Sequence, residues 1–234
     1  MSTFRPVIKE VVGAVEQVIL GKTEVIKMAL SAMLGGGHVL LEDVPGVAKT
    51  MLVRTLAIAS GCSFTRIQCT PDLLPTDVTG VSIFNQKTQE FEFRPGPIFA
   101  QIIVADEINR ATPRTQSALL EAMAEGQVSV DGVTRTLVKP FIVFATQNPV
   151  EHEGTFPLPE AQLDRFMIKL SVGYPNIMNE ADLLEKTRLQ HPIDSVKAVT
   201  DAETILRMQA TVREVFVHEK VREYLLRIVH RTRD

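Results

Sequence analysis

The sequence predicts an α/β fold in which a parallel five-stranded sheet carries helices on both faces and is followed by an all-helical part. Short apolar runs alternate with stretches of helical periodicity, as in sheets that are buried between two layers of helices. The strand candidates are residues 38–42, 63–68, 101–105, 140–146 and 167–171. From about residue 176 only helical periodicity remains. We therefore expect a core over residues 1–174 and a small helical part over 175–234.

Helices are predicted around these strands by apolar residues at spacings of three and four. Three glycines at 35–37 mark the end of the second helix, just before the first strand. Two hairpins are expected outside the sheet, one at 81–94 and one at 127–137, where Asp131-Gly132 gives a two-residue turn. The predicted helices are residues 4–18, 23–34, 49–60, 112–125, 178–190, 201–214 and 218–232.

The composition is that of an ordinary globular chain, with 234 residues, 45% hydrophobic content and a formal net charge of −3. The near-neutral balance argues against unspecific nucleic-acid binding, and no stretch is long and apolar enough to span a membrane. Cys62 and Cys69 are too few and too poorly spaced for a metal site, which favours a reduced, cytoplasmic setting. The histidines form no pair at metal-ligand spacing, and the G-x-S-x-G pattern of serine hydrolases is missing.

The stretch LLEDVPGVAKT at residues 40–50 places a loop between the end of a buried strand and the start of a helix. Backbone N–H groups, the helix N-terminus and the Lys49 ammonium can converge there on an anion such as a phosphate. Thr50 would offer its hydroxyl to a magnesium ion bound to the same phosphates. The alternative is a solvated lysine in the first helical turn. The predicted binding segment is Asp43, Val44, Pro45, Gly46, Val47, Ala48, Lys49, Thr50 and Met51.

This loop meets the phosphate-binding pattern G-x-x-x-x-G-K-[ST] only in part. Asp43 and Ala48 stand where the two glycines are expected, whereas Gly46 between them is present. Because a Cβ at positive φ costs on the order of 1 kcal/mol, we expect the backbone of Ala48 to avoid that region.

Two carboxylates follow another predicted strand. The stretch IIVADEIN at 102–109 delivers Asp106 and Glu107 at a strand end, which is where ligands bind in parallel sheets. Two adjacent carboxylates are costly to bury unless a cation accompanies them. We expect Asp106 to hold Mg²⁺, partly through water, and Glu107 to activate a water molecule for attack on a phosphate. An acidic helix start is the alternative.

Asn148 and Arg165 are further candidates for catalysis. Asn148 follows the predicted strand FIVFATQ and could hydrogen-bond a phosphate or an attacking water, although an Asn-Pro turn is the alternative. Arg165 closes the short helix in LPEAQLDRF, and its planar guanidinium suits the charge that develops on a transferring phosphoryl group. A surface salt bridge is the alternative for Arg165.

The order of these stretches resembles that of the P-loop NTPases called AAA+ ATPases. The residues within each stretch resemble those of the MoxR family of these ATPases. The resemblance covers nearly the whole chain, and its motifs are ILGK at 19–22, the loop at 40–50, ADEINRATPRTQSALLEAM at 105–123 and FATQNPVEHEGTFPLPEAQLDRF at 144–166. It implies that Lys49 and Thr50 form the Walker A pair. Asp106-Glu107 would then be the Walker B pair.

The same resemblance implies further contacts with a nucleotide. Asn148 would be the sensor-1 residue, and Arg165 the arginine finger that is presented to the nucleotide of a neighbouring subunit. Ile19, Leu20 and Gly21 would pack on the adenine.

The resemblance implies a Mg²⁺-dependent ATPase that binds ATP or ADP and hydrolyses ATP at the subunit interfaces of a homo-oligomeric, hexameric ring. The energy would drive chaperone-like remodelling of a client protein, or its loading with a cofactor or metal, and a partner could carry a von Willebrand A domain. The hairpins at 81–94 and 127–137 resemble the helix-2 insert and the pre-sensor-1 hairpin, which tend to face the pore or the client. Nucleic acid and membranes are not expected partners.

One part of the family pattern is missing, because no Ser-Pro-Arg sequence follows the last predicted helix. We therefore expect the helical lid over 175–234 to be truncated. Three alternatives stay open: a DNA-linked AAA+ motor, a magnesium-chelatase-like subunit, and a nucleotide-gated binding module with little turnover.

Overall fold

The structure is a computed structural model that describes residues 4–150, 154–187 and 191–233. In chain order its strands are β1 (His38–Glu42), β2 (Phe64–Gln68), β3 (Gly80–Asn85), β4 (Glu90–Pro95), β5 (Ile102–Asp106), β6 (Gln127–Val130), β7 (Val133–Thr136), β8 (Ile142–Gln147) and β9 (Phe166–Leu170). Its α-helices are α1 (Arg5–Glu16), α2 (Thr23–Leu34), α3 (Lys49–Ala59), α4 (Pro75–Thr79), α5 (Pro113–Glu125), α6 (Glu160–Leu163), α7 (Ile177–Thr187), α8 (Ala202–Arg213) and α9 (Glu219–Arg231).

A parallel five-stranded sheet with the strand order β2-β5-β8-β1-β9 forms the centre of the fold. Strands β1, β5 and β8 are buried along nearly their whole length. Because neither of their faces meets solvent, their sequences are continuous apolar runs. The predicted strands match β1, β2, β5, β8 and β9 to within two residues at each end, so the predicted sheet is confirmed.

Side chains alternate along the central strands between two apolar cores, one on each face of the sheet. On one face, Val39 and Leu41 of β1 belong to a core that includes residues of α1, α2, α3 and α8. On the other face, Leu40 belongs to a core that includes residues of α4 and α5. Helices therefore cover both faces, as predicted.

Two antiparallel hairpins, β3–β4 and β6–β7, lie outside the sheet where the sequence predicts them. The second turns at Asp131-Gly132, whose φ angles of +54° and +74° are those that a two-residue hairpin turn requires. Cζ of Arg135 lies 3.8 Å from the centre of the Phe93 ring, so a cation–π contact joins the two hairpins.

The chain after the sheet is helical, as predicted, and the end of the predicted helix at 188–190 lies outside the described residues. Ile205 and Met208 of α8 are buried in the same core as α2, whereas α9 has no buried residue. The division into a core up to residue 174 and a lid from residue 175 stays a prediction. Within the described ranges, no helix combines the length and apolar character that a membrane crossing requires.

His38 at the start of β1 is a buried polar residue, 8% exposed. Its Nε2 lies 3.1 Å from the carbonyl oxygen of Met123, and its Nδ1 accepts a hydrogen bond from the Val143 N–H at 3.0 Å. A neutral ring with its proton on Nε2 satisfies both partners. Burial lowers the pKa of His38 below its ordinary value of 6.5, although the hydrogen bond to Met123 acts in the opposite direction.

We expect the free energy of unfolding to fall as the pH drops below about 6.5, because the unfolded chain then binds a proton at His38 that the folded chain excludes. The loss attributable to this histidine is up to about 1.4 kcal/mol per pH unit. Urea unfolding of the parent and of His38→Gln between pH 7.5 and 5.5 measures it. The stability difference between the two proteins should shrink as the pH falls.

His230→Gln is the matched control for this measurement, because His230 is exposed on α9. That variant should keep the pH profile of the parent. Parallel profiles for the parent and His38→Gln would contradict the assignment of this pH dependence to His38.

Candidate functional site

The loop from Asp43 to Ala48 leaves the carboxyl end of β1 and leads into α3, which begins at Lys49. Val47 is 5% exposed and anchors the loop to the core. Nζ of Lys49 donates to the backbone carbonyl of Asp43 (2.5 Å) and to that of Gln147 at the end of β8 (3.4 Å). The ammonium therefore links the loop to a second strand end.

The expectation that Ala48 avoids positive φ is wrong, because its φ is +61° and its ψ is 26°. The chain has to pass from the buried Val47 into the first turn of α3 within one residue, and it does so through the left-handed region. Ala48 is exposed and carries only a methyl group, so the local strain stays on the order of 1 kcal/mol.

A cleft with a volume of about 410 Å³ lies where this loop meets the carboxyl ends of β5 and β8. Such an edge is the usual ligand position in a parallel sheet. All of the lining residues except Thr146 are predicted site residues. The lining consists of Pro45, Gly46, Ala48, Lys49, Thr50, Met51, Asp106, Glu107, Thr146 and Asn148.

Asp106 is a nearly buried carboxylate, and hydrogen bonds from three other elements reach it. Oδ1 accepts from the hydroxyl of Thr146 at 2.6 Å. Oδ2 accepts from the hydroxyl of Thr50 at 3.2 Å, and from Nε and Nη2 of Arg66 at 2.9 and 2.6 Å. Sequence reasoning missed Arg66 and Thr146. For Arg66 the sequence does contain a signal. Arg66 and Gln68 flank the apolar Ile67 in β2, so that the two polar side chains lie on the same face of that strand.

Glu107 is held in an uncommon backbone conformation, with φ +57° and ψ +50°. Its N–H donates to the hydroxyl of Thr146 at 2.9 Å. Its Oε2 accepts from Nη1 of Arg110 at 3.1 Å and from Nε2 of Gln68 at 3.2 Å. A non-glycine residue in this region costs on the order of 1–3 kcal/mol, and such strain is concentrated at functional sites. Gln68 is a further residue that sequence reasoning missed.

Asn148 lines the cleft and is 6% exposed. Its Oδ1 accepts a hydrogen bond from the N–H of Val150 at 3.1 Å, so the Asn-Pro turn that the sequence left open does form. Arg165 lies elsewhere: its Nη1 donates to the carbonyl of Leu120 in α5 at 3.2 Å, and it lines neither the cleft nor the cavity beside it. Within one chain, Arg165 is therefore not brought together with the other candidates.

A second, mostly apolar cavity of about 250 Å³ adjoins the loop on its other side and shares Gly46 and Ala48 with the cleft. Three separate segments of the chain and α7 form it. The lining consists of Val18, Ile19, Leu20, Lys22, Gly46, Val47, Ala48, Val172, Gly173, Tyr174, Pro175, Asn179, Glu180 and Leu183. An elongated ligand with an anionic end and an apolar end fits this pair of cavities.

Gly21, Asp43 and Val44 are predicted site residues that line neither cavity. Gly21 lies between two lining residues of the apolar cavity with φ +68°, and a Cβ built on it would clash with Nδ2 of Asn179 in α7. A side chain at this position would be strained by the positive φ and would require the amide of Asn179 to rotate away.

The chemistry of the cleft fits a magnesium ion. Thr50 and Asp106 offer a hydroxyl and a carboxylate oxygen 3.2 Å apart. Magnesium in proteins prefers oxygen ligands and takes one or two from the protein, with water and phosphate oxygens as the others. No group of three or more His, Cys, Asp or Glu side chains among the described residues could hold a metal by itself.

Comparisons with known proteins were made for the whole chain. A model of the ATPase family associated with various cellular activities (AAA) matches residues 38–168, which run from β1 into β9. Over 230 residues the chain is 55% identical to YeaC of Bacillus subtilis, with 98% of this chain and 72% of that protein covered. Over 219 residues it is 46% identical to chaperone MoxR1 of Mycobacterium tuberculosis, with 94% of this chain and 58% of that protein covered.

A crystal structure gives the same result at the level of the fold. The structure of a Cytophaga hutchinsonii protein described as an ATPase is similar with a TM-score of 0.87 and 41% identity, and the match covers 98% of this chain and 69% of that one. The chain thus spans 72% of YeaC but only 58% of MoxR1.

The contact between Gly21 and Asn179 leads to a prediction about stability. Gly21→Ala should lower the free energy of unfolding by about 1–2 kcal/mol, because positive-φ strain and a smaller contribution from overpacking against the movable amide of Asn179 both oppose the folded state. Chemical denaturation measures the loss. Asn179→Ala in the Gly21→Ala background should restore the overpacking part.

Gly36→Ala is the matched control, because Gly36 has φ +72° and no described atom within 4 Å of an added Cβ. This variant isolates the backbone strain and should lose only about 1 kcal/mol. Equal losses for Gly21→Ala and Gly36→Ala would show that the approach to α7 is unimportant.

Proposed function

Because this chain belongs to the MoxR family of AAA+ ATPases, we propose that it binds ATP across the two cavities and hydrolyses it at the subunit interfaces of a homo-oligomeric, hexameric ring. The observation that supports this most is the convergence of an ammonium, a hydroxyl and two carboxylates on one cleft beside an apolar cavity. These groups belong to Lys49, Thr50, Asp106 and Glu107.

The phosphates occupy the cleft and the adenosine occupies the apolar cavity. The N–H groups of the loop and the ammonium of Lys49 bind the phosphate oxygens, since the start of α3 favours an anion. Ile19 and Leu20 line the cavity where the adenine packs. Thr50 and, partly through water, Asp106 would hold a magnesium ion, which would neutralise charge on the phosphates.

Glu107 accepts a proton from the water that attacks the terminal phosphate, and Asn148 orients that water or the phosphate. Gln68 and Arg110 hold the carboxylate of Glu107, so Glu107 has to exchange these partners for the water before it acts. Its φ of +57° is maintained by the hydrogen bond from its N–H to Thr146.

Glu107→Gln should keep the affinity for ADP and lower ATP turnover by about 100-fold or more, because an amide cannot accept the proton of the attacking water. Calorimetric ADP titration and steady-state phosphate release measure the two quantities. Lys49→Ala should instead lose ADP binding, because its ammonium supplies positive charge to the phosphates.

Glu223→Gln on the exposed face of α9 is the matched control and should behave like the parent in both measurements. The role of Glu107 would be wrong if Glu107→Gln turned over at the parent rate.

Arg165 acts on the nucleotide of the neighbouring subunit. Within its own chain the guanidinium lies against α5 and lines neither cavity. A guanidinium placed where charge develops on the transferring phosphoryl group stabilises the transition state. A contribution in trans makes the assembled ring the active species.

Two inactive variants should therefore regain activity when they are mixed. Arg165→Ala keeps Glu107, and Glu107→Gln keeps Arg165, so random assembly in equal amounts should restore about a quarter of the parent turnover through interfaces that hold both groups. Phosphate release from variants that are mixed and reassembled measures this. Arg165→Ala alone should bind ADP like the parent.

The control mixture combines Glu107→Gln with the double variant Arg165→Ala/Glu107→Gln, which has no intact Glu107 at any interface and should stay inactive. If the first mixture also stays inactive while each protein binds ADP and assembles, Arg165 does not act in trans.

The energy of hydrolysis drives chaperone-like remodelling of a partner protein, or its loading with a cofactor or metal. Support comes from the relative MoxR1, whose name describes it as a chaperone. Phe84 and Phe91 on the β3–β4 hairpin are 48% and 72% exposed and give a client polypeptide an apolar surface. A partner with a von Willebrand A domain is part of the same proposal.

A second candidate is a nucleotide-gated binding module with little turnover. It is favoured by the contacts of Glu107 with Gln68 and Arg110, which keep the carboxylate occupied. ATP turnover per subunit as a function of protein concentration separates the two functions. A rate that rises with concentration supports the ring hydrolase, whereas a flat rate near zero with intact ADP binding supports the binding module.

A further inference from the structure

Asp43 is a residue whose side chain faces away from the cleft, although it stands at the first glycine position of the phosphate-binding pattern. Its Oδ2 accepts hydrogen bonds from the hydroxyl of Ser171 at 2.7 Å and from the N–H of Gly173 at 2.6 Å. Its Oδ1 accepts from the N–H of Val44 at 2.8 Å. Its backbone carbonyl accepts from Lys49. A single residue is thus bonded both to the loop and to the segment that follows β9.

The segment from Val172 to Pro175 forms one wall of the apolar cavity and leads into α7, which also lines it. Gly173 adopts φ +66°, and in this conformation its N–H donates to Asp43. From the N-terminal side, Nζ of Lys22 donates to the carbonyl of Tyr174 at 2.7 Å. The wall is therefore held at two points, by Asp43 of the loop and by Lys22.

The backbone does not require a glycine at position 43, because Asp43 is not among the described residues with positive φ. The aspartate therefore adds contacts at a position where the general phosphate-binding pattern has a glycine. Burial of the Asp43 carboxyl opposes its ionisation, but the hydrogen bonds from Gly173, Ser171 and Val44 outweigh it, so that its pKa lies below its ordinary value. Hydrogen bonds to a charged carboxylate are stronger than those to a neutral group.

We propose that Asp43 is a positioning residue that fixes the wall at Val172–Pro175 relative to the phosphate-binding loop and thereby sets the affinity for the nucleoside part of the nucleotide. The inference rests on the proposed function, because it assigns the apolar cavity to the nucleoside and the cleft to the phosphates. A glycine at position 43 removes the side-chain hydrogen bonds that join the wall to the loop, while the loop itself keeps its phosphate-binding backbone.

Asp43→Gly tests this, with calorimetric titrations of ADP and of inorganic pyrophosphate in the presence of Mg²⁺. The affinity for ADP should fall about tenfold or more, because the charge-assisted hydrogen bonds from Gly173 in the wall and from Ser171 directly before it are lost. The affinity for pyrophosphate should stay within about twofold, because the phosphates contact only the loop and the cleft.

Asp131→Gly is the matched control. It makes the same replacement in the β6–β7 turn, at a residue that, unlike Asp43, has positive φ and that lines neither cavity, and it should leave both affinities unchanged.

Ser171→Ala gives an independent test, because it removes the donor directly before the wall and leaves the loop sequence intact. This variant should weaken ADP binding and not pyrophosphate binding. In the Asp43→Gly background it should add nothing, since its acceptor is already gone.

The positioning role is overturned if Asp43→Gly binds ADP as tightly as the parent, if it loses ADP and pyrophosphate by the same factor, or if its effect and that of Ser171→Ala are additive. None of these outcomes contradicts the proposed function, because each of them is measured relative to a parent protein that binds both ADP and pyrophosphate. A parent that binds neither ligand overturns the proposed function, and the role of Asp43 with it.

Discussion

The geometry of the cleft depends on the carboxylate of Asp106, because a side chain that is nearly buried at the end of an apolar strand needs hydrogen-bond partners. Thr50, Thr146 and Arg66 supply them from α3, β8 and β2 respectively. Each partner fixes a different element against β5. The hydrogen bonds that satisfy the Asp106 carboxylate therefore also align the first turn of α3 with the ends of β2 and β8. The positions of the other polar side chains in the cleft follow from that alignment.

Backbone strain in this protein is concentrated on both sides of the same cleft. Among the described residues that are not glycine, positive φ occurs at Ala48 and Glu107, and also at Gln89 and Asp131, which lie in hairpin turns where such angles are usual. No hairpin explains the first two. They are held by their surroundings, since Val47 is anchored in the core before Ala48, and the N–H of Glu107 is bonded to a side chain of β8. Such residues persist where the fold over-determines them, and that favours a functional reason for their conformation.

The sequence was sufficient to predict the sheet and most of the cleft, but not the contacts between strands that are distant in the chain. Lys49, Asp106 and Asn148 could be found because each follows an apolar run, and parallel strands end at one edge. Arg66 and Gln68 could not be assigned to the site, because their contacts require β2 to lie beside β5, and chain order does not give strand order. The positive φ of Ala48 was missed because the sequence indicates only that a Cβ is unfavourable in this conformation. It does not indicate that the chain must pass from the buried Val47 into the first turn of α3 within one residue.

The charges in the cleft support the proposal that a second chain takes part in the reaction. Of the described residues that line it, one is a cation and two are carboxylates, whereas the phosphates of ATP bring several negative charges. A bound Mg²⁺ would reduce this imbalance, but the charge that moves onto the phosphoryl oxygens during transfer would still need a further positive group. Arg66 and Arg110 are already paired with the carboxylates of Asp106 and Glu107 respectively. Arg165 projects toward α5, away from its own cleft, and an assembly in which its surroundings meet the cleft of the next subunit would satisfy both at once.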